Sequence, residues 1–475
     1  MTEHRIGGLG PAVAWTGRVQ WRGDPIVTSP PTQRADRFGY VGYDVDPSRG
    51  EIRCTYTTAG HTFTERYVFG PDGDWRGPAV ERAVRLLFLL AGVSYYKTAA
   101  AHTIDLGAFP TTESERAFLK RYYTNGLGEF AYRNGLDLDD LSIIGPDVAP
   151  AVMAPHTTRP GSPLIPFGGG IDSIVTVNAL SAGHPDAALC IVHPPGDRFA
   201  AIEDPARVTG LRVVRIEREL SPLVRRSAEL GFLNGHVPVT AVISAAALVA
   251  AVVGGHDAVV LSNEHSASVP TLVHAGKPIN HQWSKSLEFE EAFARLVRDS
   301  LGHGVTVFSY LRSRSELWVA REFSRLTEFH HAFRSCNRSF HQDPAQRLDH
   351  WCGTCDKCCF INLILAPFMK EADLRGVFNG HEPLANAELH DRFLTLLGLG
   401  SEERPFECVG DPDESRAAVV MAATRPDRAN TALLQTLRAL VAQRQPTETT
   451  DLFAPAGPHY IPDGYAPPDL LVRAH

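Results

Sequence analysis

Three groups of residues in this chain have types and spacings that can do chemistry. A glycine-rich turn precedes an aspartate and a serine in the run Phe167-Gly-Gly-Gly-Ile-Asp-Ser173. Four cysteines are close in sequence, and single histidine, lysine and cysteine residues lie in segments without helical or strand periodicity. The first group is typical of anion binding, the second of a metal site and the third of proton transfer.

The glycine-rich turn lies between an apolar run and an apolar-periodic run, which predicts a strand, a turn and a helix. The N–H groups of Gly168, Gly169 and Gly170 would then surround an anion at the positive end of the helix. Ser173 would offer a hydroxyl to phosphate, and Asp172 would offer a carboxylate to a metal. The run matches neither a Walker loop nor a Rossmann turn. The alternative is an ordinary glycine turn before a helix.

The G-G-x-D-S spacing resembles the PP-loop of the ATP pyrophosphatases, which split ATP into AMP and pyrophosphate. Those enzymes usually have serine at the position of Gly168. Because the hydroxyl is missing here, backbone donors must hold more of the pyrophosphate. The resemblance implies that ATP binds at this turn.

From Leu164 onward, short apolar runs alternate with helical patterns. Strands are predicted at Leu164–Phe167, Ala187–His193, Arg212–Ile216, Ala258–Asn263 and Val305–Tyr310, and helices at Ile174–Leu180, Val239–Val253 and Leu287–Leu301. This alternation predicts an α/β fold with a doubly wound parallel sheet. Ligands of such sheets bind beyond the carboxyl ends of the strands, so we expect His193, Asn263 and Glu264 to join the cofactor site.

The rest of the chain suggests further domains. A hairpin is predicted over Glu51–Phe69, with helices from Pro78 to Gly92 and from Thr112 to Asn134, and the proline-rich residues 145–163 are interpreted as a linker. We expect an N-terminal α+β domain at 1–150, an ATP-binding domain at 160–330, a metal-site and helical region at 331–425 and an extended tail at 426–475.

The cysteine cluster consists of Cys336, Cys352, Cys355 and Cys358. Four thiolates with close C-x2-C pairs suit a tetrahedral structural zinc site, and Lys357 would offset part of their charge. Iron–sulfur ligation, a redox C-x-x-C pair and reduced packing cysteines are the alternatives.

The overall composition limits the kinds of partner and the cellular compartment that we expect for this protein. The net charge of −8 argues against nucleic acid as the main partner. Eight cysteines, clustered as they are, suit the reducing cytoplasm, and the N-terminus has no secretory signal pattern. The charge-free segment from Val237 to Gly255 is interpreted as a buried helix and not as a membrane span.

Five further segments narrow the resemblance from the PP-loop enzymes in general to one family. The segments are Ala91-Gly-Val-Ser-Tyr-Tyr-Lys97, Asn234-Gly-His-Val-Pro238, Asn280-His-Gln-Trp-Ser-Lys-Ser-Leu-Glu288, Trp351-Cys-Gly-Thr-Cys-Asp-Lys-Cys358 and Pro405-Phe-Glu-Cys-Val-Gly410. Together with the glycine-rich turn they resemble, in collinear order over about residues 85–415, the UDP-N-acetylmuramoyl-L-alanyl-L-glutamate epimerase (MurL) family. The resemblance implies inversion of the terminal L-glutamate of a peptidoglycan precursor, with ATP, Mg²⁺ and a small-molecule substrate. The family usually has lysine at the position of Ile171, so one cation near the phosphates is missing.

A PP-loop would serve such an inversion by activating the carboxylate. The Cα–H beside an ionised carboxylate is very weakly acidic, whereas adenylation removes the charge and turns the carbonyl into an electron sink. His236, His281, Lys285 and Cys408 are the candidates for proton transfer. Structural roles, such as a capping histidine, a phosphate-binding lysine or a buried cysteine, are the alternatives. Arg334 and Arg338 are candidates for binding substrate carboxylates.

Two other functions compete with the epimerase. One is a different PP-loop enzyme, either an amide- or nitrile-forming ligase or a sulfur transferase, that also works through an adenylated intermediate. The other is a degenerate nucleotide sensor, against which the presence of both Asp172 and Ser173 argues. The sequence leaves open which residues transfer the proton, the oligomeric state and the role of the N-terminal region.

Overall fold

The computed structural model describes residues 34–149, 156–341, 343–400, 403–444 and 451–471. Its strands are β1 (Arg37–Asp46), β2 (Glu51–Thr58), β3 (His61–Val68), β4 (Thr103–Asp105), β5 (Ser142–Ile144), β6 (Arg159–Pro166), β7 (Ala188–His193), β8 (Arg212–Glu219), β9 (His256–Leu261), β10 (Leu272–His274), β11 (Lys277–Ile279) and β12 (Thr306–Ser309).

The α-helices in the described ranges are distributed along the whole chain. They are α1 (Pro78–Ala91), α2 (Val93–Tyr96), α3 (Glu113–Gly126), α4 (Gly128–Arg133), α5 (Ile171–Ser181), α6 (Ala200–Thr209), α7 (Pro222–Arg225), α8 (Val239–Gly254), α9 (Leu287–Leu301), α10 (Glu316–Phe323), α11 (Asp356–Leu365), α12 (Glu371–Val377), α13 (His390–Leu396), α14 (Pro412–Ala423), α15 (Ala432–Ala442) and α16 (Pro468–Leu471).

One mixed sheet of ten strands runs through the molecule, in the order β12-β9-β6-β7-β8-β3-β2-β1-β4-β5. The five strands from β12 to β8 are parallel neighbours, which confirms the predicted α/β class and all five predicted strands. The sheet does not end at β8, because β3 pairs with it antiparallel. That pairing gives the N-terminal hairpin and the parallel strands a common sheet and covers an otherwise exposed edge of backbone donors and acceptors.

Alternate residues of the parallel strands point into two separate cores. Leu164 and Val259 pack with α1, α8 and α9 on one face. Ile165 and Val260 pack with α5, α10 and α11 on the other face. The charge-free segment is helix α8, most of whose residues are buried against the sheet and α1. Within the described ranges, no helix is long and apolar enough to cross a membrane.

Local predictions in the N-terminal part are confirmed with two changes. The hairpin turns at Ala59 and Gly60, which both have positive φ. The helix predicted over residues 112–134 is interrupted at Leu127, which separates α3 from α4. Gly126 is required at this break, since a Cβ there would lie 2.9 Å from the Pro238 side chain. The proposed linker is also shorter than expected, because β6 already begins at Arg159.

The C-terminal residues 451–471 pack on the parallel half of the sheet. The Tyr465 hydroxyl donates to Asp257 at 2.6 Å, and the Ala456 N–H donates to the Ser313 carbonyl at 2.9 Å. Apart from the short helix α16, this segment is irregular, but helix α15 (Ala432–Ala442) lies within residues 426–475, which were expected to form an extended tail.

Candidate active site

The candidate active site lies where the order of the parallel strands reverses. In chain order the five strands are arranged third, second, first, fourth, fifth, so the reversal falls between β6 and β9. A crevice opens at such a point beyond the carboxyl ends of the strands, and ligands of open α/β sheets bind there. The glycine-rich turn follows β6, and Asn263 and Glu264 follow β9.

The glycine-rich turn has one position that only glycine can occupy. Gly169 has a φ of 74°, and a Cβ there would lie 2.4 Å from the Ala201 carbonyl oxygen. At Gly170 the Ser335 hydroxyl would lie 3.2 Å from an added Cβ, whereas at Gly168 no described atom would lie within 4 Å. The Ser173 hydroxyl donates to the Gly170 carbonyl at 3.0 Å, so its proton holds the turn.

Asp172 lies on the first turn of α5 and has a buried oxygen, Oδ1, without a hydrogen-bond partner in the described structure. Burial and the nearby Glu264 carboxylate raise the pKa of Asp172 to about 6, although Lys357 and Lys285 oppose the shift. A buried carboxylate oxygen without a donor fits a hard cation such as Mg²⁺, which prefers oxygen ligands.

The remaining predicted cofactor residues have structural partners. Glu264 is buried and caps a short 3-10 helix by accepting from the Ala267 N–H at 3.1 Å. The Asn263 amide donates to the Ser309 hydroxyl at 3.0 Å. His193 lies at the end of β7, where its Nδ1 bonds the Pro194 carbonyl oxygen at 2.8 Å. Asn263 and Glu264 directly follow β9, whereas His193 Nδ1 bonds its own loop and its buried Nε2 has no hydrogen-bond partner among the described residues.

The four residues predicted for proton transfer come together in the structure. Cys408 is partly exposed, and the Lys285 Nζ donates to its Sγ at 3.3 Å. Burial raises the pKa of the Cys408 thiol, but Lys285, His281 and Lys357 more than offset this and lower it to about 5. Cys408 is therefore a thiolate near neutral pH, the form in which cysteine is nucleophilic.

His281 connects Cys408 to a buried glutamate. Its Nδ1 bonds the Glu129 carboxylate at 2.5 Å, which leaves Nε2 for the interaction with Cys408. Burial lowers the pKa of His281, but Cys408 and Glu129 outweigh it and raise the pKa to about 9. At neutral pH this ring is an imidazolium between two anions.

His236 is the neutral member of the group. Its ring centroid lies 4.2 Å from that of His281. Burial and the neighbouring cations His281, Lys97 and Lys285 hold its pKa well below the usual range. A neutral imidazole beside a charged one gives the group both a proton acceptor and a proton donor.

Short-range contacts fix the segments that carry these side chains. Lys285 ends a 3-10 turn directly before α9, whose first N–H groups Ser286 caps. Lys97, which is buried, donates to Asn234 Oδ1 at 2.9 Å and to the Gly235 carbonyl at 3.1 Å, and this holds the segment that carries His236.

A single guanidinium connects two loops of the site. Arg312 is buried and pairs with Glu290 at 2.8 Å. It also donates to the carbonyl oxygens of Glu264 at 2.8 Å and Lys285 at 2.6 Å. The loop after β9 and the loop before α9 are therefore held by the same side chain, as charge-assisted hydrogen bonds allow.

Sequence reasoning missed Glu129 and gave Lys357 a different partner. Glu129 lies 152 residues before His281, and nothing in its own segment indicates the contact. Lys357 Nζ donates to the Cys408 carbonyl, so this residue of the cysteine knuckle holds the backbone of Cys408. Arg334 pairs with Asp204, and Arg338 is exposed, so neither is seen within the group around Cys408.

The cysteine cluster brings its four sulfur atoms within 4.8 Å of one another. Cys358 Sγ lies 3.5 Å from Cys355 Sγ and 3.6 Å from Cys352 Sγ. Gly353, with a φ of 70°, allows the tight turn between the ligands. Four converging sulfur donors of this kind could bind a metal such as zinc.

Glu129, His236 and His281 also place ligand atoms within 4.8 Å of one another. However, Arg133 pairs with Glu129 at 2.8 Å, and Lys97 and Lys285 both act on His236. These cations disfavour a further metal ion at this group.

Comparison with known proteins identifies relatives along most of the chain. The MurL N-terminal domain matches residues 30–310, and the MurL C-terminal domain matches residues 332–452. Proteins named UDP-N-acetyl-alpha-D-muramoyl-L-alanyl-L-glutamate epimerase are similar to it. The protein from Xanthomonas oryzae pv. oryzae is 37% identical over 82% of this chain and 86% of its own length. That from Salinispora tropica is 35% identical over 91% and 95%, respectively.

A third relative of the same name, from a Micromonospora species, is 34% identical over 91% of this chain and 98% of its own length. No solved structure matches the chain. The two domain matches and the long alignments agree with the resemblance found in the sequence. The chain belongs to the MurL family.

Proposed function

We propose that this protein is an ATP-dependent epimerase that inverts the terminal L-glutamate of UDP-N-acetylmuramoyl-L-alanyl-L-glutamate. The names of its relatives support the substrate and the inversion. The observation that carries the proposal is the group of Cys408, His281 and His236, which combines a thiolate, an imidazolium and a neutral imidazole near the carboxylate of Asp172.

The first step activates the substrate. An oxygen of the glutamate α-carboxylate attacks the α-phosphorus of ATP, and pyrophosphate leaves with the electrons of the broken P–O bond. The N–H groups of Gly168, Gly169 and Gly170 would hold the leaving phosphates, since preorganised donors stabilise developing charge. Asp172 would hold Mg²⁺, because its buried Oδ1 is a suitable oxygen ligand, and the bound ion supplies charge neutralisation for the triphosphate.

The second step moves the proton. With the carboxylate masked as an acyl group, the carbonyl accepts the electrons of the Cα–H bond, and a modest base suffices. Neutral His236 is suited to accept the proton, and protonated Lys285 or His281 is suited to return one to the opposite face. Hydrolysis then releases AMP and the D-glutamyl product, so that one ATP and one water are consumed for each inversion.

A chiral assay of glutamate tests the proposal. The UDP-linked dipeptide is incubated with the protein and Mg²⁺, with and without ATP, and the hydrolysed glutamate is resolved into its enantiomers. We expect D-glutamate only with ATP, together with AMP and pyrophosphate in a fixed ratio to turnover. Inversion without ATP, or ADP as the stoichiometric product, would contradict it.

A further inference from the structure

Cys408 has the surroundings of a nucleophile. Its sulfur accepts a hydrogen bond from Lys285 Nζ at 3.3 Å, and its side chain is partly exposed. Its backbone is held as well, because Lys357 donates to its carbonyl oxygen. This fixation of both sulfur and backbone suits a nucleophile, whose lone pair must be aligned with an acyl carbon.

The partners of Cys408 form the arrangement that activates nucleophiles in many enzymes. His281 interacts with the sulfur, and Glu129 bonds the opposite nitrogen of that ring at 2.5 Å. Glu129 is itself buried and held by Arg133 at 2.8 Å. A nucleophile, an imidazole and an orienting carboxylate in series are typical of acyl transfer. Glu129 acts through His281 and is therefore a positioning residue.

We propose that the Cys408 thiolate attacks the acyl-adenylate and carries the glutamyl group as a thioester, on which the inversion takes place. This inference rests on the proposed function, because the adenylate is the acyl donor. The S–C bond forms at the carbonyl carbon, the C–O bond to phosphate breaks, and AMP leaves with that electron pair.

Inversion and release follow on the same sulfur. His236 accepts the Cα proton, the electron pair enters the thioester carbonyl, and a protonated neighbour delivers a proton to the other face. Water then attacks the carbonyl carbon, the S–C bond breaks with its electrons on sulfur, and the thiolate is restored. A thioester favours this order, since sulfur donates little electron density to the carbonyl and leaves the α-proton more acidic than an oxygen ester does.

The experiment traps the acylated protein. A UDP-linked dipeptide whose glutamate carries an α-methyl group cannot lose a Cα proton, so inversion is blocked and the acyl group can leave the sulfur only by hydrolysis. The full-length protein is mixed with this analogue, ATP and Mg²⁺, quenched in acid and weighed intact by mass spectrometry. We expect a mass increase equal to the analogue minus water, which neutral hydroxylamine removes and peptide mapping places on Cys408.

Two variants sharpen the result. In Cys408→Ala we expect no adduct and a loss of inversion by at least about 10²-fold, while ATP–pyrophosphate exchange persists because adenylation precedes the thiol. Cys190→Ala is the matched control, since the Cys190 side chain is buried in strand β7 and packs in the hydrophobic core, and this variant should form the adduct normally.

The two possible failures are distinguishable. If wild-type protein inverts the natural substrate with ATP but neither substrate nor analogue gives an adduct on Cys408, the thioester is overturned and the proposed function stands. If wild-type protein shows neither inversion nor AMP release, the proposed function fails as well. An adduct that persists in Cys408→Ala would also overturn the assignment.

Discussion

Two sets of cysteine residues lie close together in this molecule and differ in the chemical type of their neighbours. In the cluster of Cys336, Cys352, Cys355 and Cys358, sulfur faces sulfur. Around Cys408, sulfur faces cations, namely Lys285 and His281. Facing thiols suit a metal that neutralises them together, whereas flanking cations stabilise a single reactive thiolate.

The two groups are also connected. Lys357 lies between two of the cluster cysteines in sequence, and its Nζ bonds the Cys408 carbonyl. Ser335, which precedes Cys336, lies against Gly170 of the glycine-rich turn. Residues beside the cluster cysteines therefore contact both the Cys408 loop and the glycine-rich turn.

The largest expected effect is a loss of catalysis that leaves the free energy of unfolding nearly unchanged. Asp172→Asn removes the carboxylate charge but keeps its shape, and burial already disfavours that charge, so the free energy of unfolding should fall little. AMP release and Cα exchange should both disappear, since activation precedes proton transfer. Parallel AMP and thermal unfolding assays check this. Asp186→Asn, an exposed change beyond α5, should retain activity. AMP release at the wild-type rate in Asp172→Asn would refute the role.

The next largest expected effect is a loss of folding stability that precedes any loss of catalysis. We expect the purified protein to carry about one zinc with Zn–S distances near ~2.3 Å. Cys355→Ser should lose that metal and lower the melting temperature, because structural zinc binding is folding free energy. Elemental analysis and thermal unfolding measure both quantities. Cys359→Ala, a change at the adjacent buried cysteine outside the cluster, should keep the metal. Metal-free wild-type protein of normal stability would contradict a structural zinc.

A medium effect concerns the pH range of activity. Because the pKa of Cys408 is lowered to about 5 and that of His281 is raised to about 9, kcat/KM should fall below the first value as the thiolate is protonated. It should fall above the second value as the imidazolium loses its proton. Glu129→Gln removes the anion that holds the imidazolium, so the alkaline limit should move down by about 1–3 pH units.

The matched control for that profile is Glu291→Gln, a change on the surface of α9, where the glutamate pairs with Arg295. Its profile should be that of the wild type. An unchanged profile in Glu129→Gln would show that the glutamate does not set the charge of His281.

The smallest effect is at the first glycine of the turn. A side chain at Gly168 meets no described atom within 4 Å, so Gly168→Ser should change the free energy of unfolding by less than about 0.5 kcal/mol. The added serine hydroxyl should leave the KM for ATP unchanged or lower it. Gly169→Ala, by contrast, combines a positive φ with a backbone clash and should cost at least about 1–3 kcal/mol. Equal free energies of unfolding and equal KM values for ATP in Gly168→Ser and Gly169→Ala would contradict this interpretation of the turn.

The parallel half of the fold could be predicted from the sequence because its signals are local. Apolar runs of strand length alternate with helical patterns, and all five predicted strands and the three helices are present. The pairing of β3 with β8 could not be predicted. It joins residues such as Arg66 and Glu219, which are 153 positions apart, and nothing local in either strand indicates its partner.

The candidate site, like the sheet, could be predicted from the sequence only in part. His236, His281, Lys285 and Cys408 could be selected one by one, because each lies in a segment without structural periodicity. Their mutual distances and charges depend on the fold. Glu129 escaped selection because it lies on a helix and looks like an ordinary surface acid, whereas the break after Gly126 lets α4 turn it inward.

Hydrogen exchange at the glutamate Cα tests most directly whether activation by ATP precedes proton transfer. The UDP-linked dipeptide is incubated with the protein and Mg²⁺ in D₂O, with and without ATP, and deuterium at Cα is measured in product and in recovered substrate. We expect deuterium in the D-glutamyl product when ATP is present and none in either form when ATP is omitted. Exchange at Cα without ATP would contradict the activation argument.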